Sequence, residues 1–157
     1  MPDVPLTKWM TVLVWTATAA FAASWFMPVL EDVPGWMAFR YALSPLVPYE
    51  GGAENLSAEE SVPQILSALT NVVFVVMVAL WVTNQRMRPA TFVRISLACF
   101  LLNLYWPVKA IREGGIGDIL LGYYAWEAAF ALLLGVAIMA VVANRRTSTT
   151  PRAGTPS

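Results

Sequence analysis

Three strongly polar side chains, Glu127, Asn71 and Asn103, each fall inside a long apolar run of this 157-residue chain. A carboxylic acid set among apolar residues is costly unless it is paired, hydrogen-bonded or protonated, so Glu127 is the first candidate for a functional group. Tyr123 and Tyr124 precede it by four and three residues, which on a helix puts both phenols within one turn of the carboxyl. Asn71 shares a helical face with Gln64 and Ser67, at i, i+3 and i+7. No basic side chain has a comparable position along the runs. Desolvation without a cation favours the neutral acid, and Glu127 is expected to keep its proton at neutral pH. Such a set can do two things: hydrogen-bond helices together, or take and release a proton or cation.

Other chemistries lack their residues. The chain has no histidine, which removes His-ligated haem, His-box di-iron centres, the usual zinc sites and His-based acid–base catalysis. Cys99 is the only cysteine and lies in an apolar run, so no intramolecular disulfide forms. No GxSxG elbow, phosphate-binding glycine loop or paired-carboxylate site occurs, and the glycines at 114, 115 and 117 read as a turn. The expectation is a non-enzymatic chain without cofactor or metal. Zero net charge and the absence of a basic patch with interleaved aromatics argue against nucleic acid as a partner.

The elements that would position these residues are membrane helices. Charged residues make up 13% of the chain against about 25% in soluble domains, and they cluster between the apolar runs. Four runs have spanning length, at about 9–27, 62–83, 90–108 and 118–142. The fold class expected is all-α: a four-span, up-and-down transmembrane helix bundle over 9–143. A lead-in (1–8) and a disordered tail (144–157) flank it.

In the first run Thr16, Ala20 and Ser24 recur every four residues, as do Ala19 and Ala23. Small residues at that spacing let helix backbones approach closely in lipid, and Thr16/Ala20/Ser24 is the expected packing face. Lys8 followed by an apolar core and Ala20-Phe21-Ala22 would also suit a signal peptide. The length of the run and Trp25-Phe26-Met27, an interfacial belt, favour a span. The proline-rich connection from Pro28 to Val62 carries GWMAFRYALS, which predicts a short interfacial helix with Trp36, Phe39 and Leu43 on one side. Its remainder, YEGGAENLSAEES, reads as a solvated acidic loop. Ser61-Val62-Pro63-Gln64 reads as the start of the second span, with Asn84 at its end. QRMRP turns the chain into the third, which Trp106-Pro107 closes; KAIREGGIG reads as a loop and Asp118 as N-cap of the fourth.

Lys8, Arg86, Arg88, Arg94, Arg145, Arg146 and Arg152 flank one side of this arrangement, while Arg40, Lys109, Arg112 and nearly all the acids flank the other. The positive-inside rule then puts both termini in the cytoplasm of a plasma (inner) membrane protein. On this topology Glu127 lies ~15 Å below the outer boundary, Asn71 ~12 Å and Asn103 ~9 Å at the helical rise. The agreement in depth predicts an intramembrane polar cluster of Glu127, Asn71, Asn103, Ser67, Tyr123 and Tyr124, with the Asn amides bonded to Glu127. Glu127→Leu is expected to cost more than Glu127→Gln. The expected partners are the lipid bilayer and other membrane subunits, or a second copy. The expected role is an accessory or assembly subunit acting through helix–helix contacts, the alternative a small transporter or channel-like protein using Glu127.

Overall fold

A computed structural model describes residues 4–30, 33–47, 58–83 and 88–148. The acidic loop at 48–57, Asn84, most of the QRMRP turn and the tail from 149 lie outside the described residues.

Helices lie over all four apolar runs, with boundaries that differ from the sequence reading for identifiable reasons. Helix α1 spans Val4–Ser24 and ends before the Trp25-Phe26-Met27 belt. Its last turn tightens through i−3 bonds, Trp25 N–H to Ala22 O and Phe26 N–H to Ala23 O. The chain then forms a small hairpin in place of the irregular loop expected. Strands β1 (Pro28–Leu30) and β2 (Val33–Pro34) pair antiparallel, with Pro28 opposite Pro34. Proline has no N–H to give a ladder and is tolerated at such edges. Helix α2, Gly35–Ala42, is the short amphipathic helix the sequence predicts. A Cβ on Gly35 would collide with the Ser24 carbonyl oxygen, so only glycine lets α2 start against the end of α1.

Helix α3 spans Ala58–Val82 and includes Pro63, so it starts before Ser61 rather than being capped there. Helix α4, Pro89–Asn103, begins on a proline at its first turn, where no N–H is needed. The third run does not stop at Trp106-Pro107. It is interrupted at Leu104 and continues as α5, Tyr105–Glu113, so Lys109 and Arg112 are helical rather than in a loop. Proline at 107 cannot donate to the Asn103 carbonyl four residues back, which accounts for the interruption there. Gly114 terminates α5 in the left-handed conformation, φ 77°. A 3-10 turn at Ile116–Asp118 precedes α6, Leu121–Ser148. Asp118 therefore belongs to the turn and does not cap α6.

Helix α6 is the centre of the molecule, packed along much of its length against α1 and α4. The shared core includes Val14, Ala17 and Phe21 of α1, Phe74 of α3, and Phe130, Leu133 and Val136 of α6. Phe21 stacks on Phe74 at 4.3 Å, and Phe74 meets Phe130 edge-on at 5.2 Å, tying three helices together. At one end the hairpin lies across the start of α6: Leu120 N–H donates to Val29 O at 3.0 Å, and Leu30 bridges Ile119. Gly122 makes this possible, since a Cβ there would come within 2.6 Å of Pro28 O and 2.8 Å of Met27 O. Among the described residues three helical segments are long and apolar enough to cross a membrane: Ser61–Val82, Pro89–Glu113 and Leu121–Arg145. The fold is thus mostly helical, with α1 packed beside three candidate spans.

Candidate functional site

The polar side chains gather at the hairpin end of the molecule, and Asn103 is their hub. Its side chain is fully buried at the end of α4. Its Oδ1 accepts from the Ser67 hydroxyl at 3.2 Å, and the Thr70 hydroxyl, which donates to Ser67 O at 2.6 Å, lies 3.3 Å from it; both residues are on α3. Its carbonyl, denied a helical donor by Pro107, accepts from the Tyr123 hydroxyl of α6 at 2.6 Å. Ser67 also accepts from the indole N–H of Trp106 at 3.1 Å. A second, shorter chain lies beside the first. The Trp126 indole donates to Asn71 Oδ1 at 2.8 Å, and Asn71 Nδ2 donates to Ala68 O at 3.0 Å. Four helices, α3 to α6, are pinned by these bonds. A proline's missing donor is answered by a tyrosine from another element.

Of the predicted cluster, Ser67, Asn71, Asn103 and Tyr123 take part in these bonds, while Tyr124 points away and is exposed. Glu127 does not bond to either Asn. Both its carboxylate oxygens are buried and have no hydrogen-bond partner among the described residues. Glu127 lies one turn further along α6 than Tyr123, whose hydroxyl meets the Asn103 carbonyl at the end of α4. The Asn71 amide is already committed to Ala68 O, and the Asn103 Nδ2, buried without an acceptor among the described residues, does not reach the carboxylate either. Thr70, Trp106 and Trp126 complete the network and were not in the predicted set. The two tryptophans carried a usable signal, since a buried indole N–H almost always finds an acceptor.

The predicted packing face of α1 also needs correction. The buried stripe is Met10, Val14, Ala17, Phe21 and Ser24, whose large side chains interlock with α6 and α3. Ser24 belongs to it and Ala20 borders it, but Thr16 is exposed and returns its hydroxyl to Val12 O at 3.0 Å. Ala19 and Ala23 are exposed as well.

Above the network lies a cavity of about 620 Å³, within the ~300–1,000 Å³ range of small-molecule sites. The hairpin and α2 cover it; α3, α5 and α6 form its walls. Trp25 and Phe39, with ring centroids 5.3 Å apart, join the end of α1 to α2 at its edge. Ser67, Asn71, Tyr123 and Trp126 supply its floor, and Lys109 with Glu113, an i,i+4 pair at 3.9 Å, stands at its rim. A pocket of this kind can hold a molecule with an apolar body and a few polar atoms. Among the described residues no group of three Cys, Asp or Glu side chains gathers to hold a metal ion.

No family model matches the chain, and no curated protein and no solved structure matches it.

Proposed function

We propose that this chain is an integral membrane protein that crosses the plasma (inner) membrane four times, with both termini in the cytoplasm, and acts by binding rather than catalysis. In this reading α1 is the first span beside the three candidate spans, and the hairpin end faces outside. The function is to hold a small amphipathic molecule in the outer half of the bilayer. One observation carries it: the 620 Å³ cavity has apolar walls and a floor of side chains bonded to one another across several helices. Interhelical hydrogen bonds hold such a floor in place before any guest arrives, which lowers the ordering cost of binding.

The test uses the neutral fluorophore N-phenyl-1-naphthylamine with the purified protein in lipid nanodiscs. Saturable enhancement is expected, and it should be lost in Ala110→Trp, which fills the cavity from α5. Enhancement that rises without saturation and equally in both proteins would contradict the proposal.

A second reading is favoured by the outward face of α1. Thr16, Ala19 and Ala23 form an exposed run of small residues, suited to close approach by another membrane helix. The protein is then an accessory subunit whose cavity and partner surface lie on different elements. Ala19→Leu should release a co-purifying subunit or dissociate an oligomer without changing dye binding. An unchanged mass in mild detergent would remove this second reading.

A further inference from the structure

The cavity can be assigned a class of guest by counting which of its polar atoms are spent. Its N–H and O–H donors on the floor are committed to protein acceptors. Trp106 gives to Ser67, Trp126 to Asn71, Tyr123 to the Asn103 carbonyl, Ser67 to Asn103, and the Asn71 amide to Ala68 O. An acceptor is left over. Gln64 lines the cavity, and its Oε1 is buried with no donor among the described residues. A buried acceptor without a donor is costly, and a guest that supplies positive charge or an N–H would relieve it.

The remaining surfaces have the same sign. Six aromatic side chains line the space, Trp25, Phe39, Tyr41, Trp106, Tyr123 and Trp126, and their ring faces attract cations. At the rim two carboxylates, Glu113 and Asp118, stand against one ammonium, Lys109, and Glu113 is within 3.9 Å of it. An anion would meet aromatic rings and two carboxylates, with the Trp106, Trp126, Tyr123 and Ser67 donors turned elsewhere. Among the described residues a small hydrated metal ion would find no cluster of ligands. We propose that the cavity takes a lipophilic organic cation, one whose charge is spread or shielded on aromatic or aliphatic groups. This rests on the reading of the cavity as a binding site.

Tetraphenylphosphonium and tetraphenylborate share size and shape and differ in the sign of their charge, which makes them a direct probe. Each is titrated against N-phenyl-1-naphthylamine bound to the full chain in zwitterionic nanodiscs, with empty nanodiscs as blank. The phosphonium should displace the dye saturably, and the borate should not. Gln64→Leu should lower the affinity for the phosphonium by about tenfold relative to that for the dye. Should Gln64→Leu fold poorly, Asp118→Asn on the exposed rim serves instead; its weakening should shrink as salt is raised. Equal displacement by both ions, or stronger displacement by the borate, would overturn the cation assignment and leave the binding reading standing. Failure of the dye itself to bind saturably would remove both.

Discussion

Replacing Tyr123 by phenylalanine removes one hydroxyl and tests whether the polar network stabilises the junction between α4 and α5. The hydroxyl donates at 2.6 Å to a carbonyl on a fully buried residue, Asn103, whose helical donor is absent because residue 107 is proline. Two magnitudes compete. Orphaning a buried acceptor in a soluble protein costs about 1–3 kcal/mol. Interhelical side-chain bonds in membranes average only about 0.6 kcal/mol, because the separated helices find other partners. Here the acceptor is a backbone carbonyl that no neighbouring turn can serve, so the larger figure governs, at about 1–2 kcal/mol. Tyr124→Phe, at an exposed position, should change stability by less than about 0.5 kcal/mol. Unfolding in mixed micelles by graded addition of dodecyl sulfate measures both. Pro107→Ala sharpens the test, since it returns an N–H to the Asn103 carbonyl. In that background Tyr123→Phe should cost clearly less, which a double-mutant cycle reports as coupling. Equal costs for Tyr123→Phe and Tyr124→Phe, or a cycle with no coupling, would refute the reasoning.

Further outcomes follow from other contacts. Gly122→Ala should destabilise the protein or displace the hairpin, because the new Cβ meets the Pro28 and Met27 carbonyls. Gly135→Ala, with nothing within 4 Å of its Cβ, should be neutral or stabilising by up to about 1 kcal/mol in the same micelle titration. Glu127→Leu should be at least as stable as the wild type, with a gain of up to about 2 kcal/mol, since among the described residues the carboxylate makes no bond to lose. A loss of stability for Leu but not for Gln would show that Glu127 has a partner after all. Ala17→Leu should cost about 1–3 kcal/mol by overpacking at a fully buried site, and Thr16→Leu next to it should be nearly silent.

Much of the architecture was legible in the sequence, for reasons of length. Apolar runs of spanning length leave the backbone little choice but helix in a bilayer, and α1, α3, α4 and α6 lie over the four runs. GWMAFRYALS has the periodicity of α2, and Ser67 and Asn71 share a face of α3 as their spacing requires. What the sequence could not supply was which polar atoms find each other. Residues of similar depth need not face each other, and Glu127 bonds to neither Asn71 nor Asn103. The hairpin was hidden because prolines at both ends of a five-to-seven-residue stretch read as strand breakers. The continuation into α5 was hidden because Trp106-Pro107 looks like a helix end. The carbonyl that Pro107 leaves without a helical donor is met instead by Tyr123, far away in the chain. On α1, small residues at i+4 spacing suggested the buried face, yet Val14, Ala17 and Phe21 fit the groove of α6 by shape.

Thiol accessibility in intact cells tests the central claim of an outward-opening cavity most directly. With the buried native thiol removed by Cys99→Ala, single cysteines are placed at Ala110, in the cavity wall, and at Thr147, near the end of α6. A membrane-impermeant maleimide should label Ala110→Cys from outside, N-phenyl-1-naphthylamine should protect it, and Thr147→Cys should react only after permeabilisation. Labelling of Thr147→Cys in sealed cells, with Ala110→Cys silent until they are opened, would contradict the account.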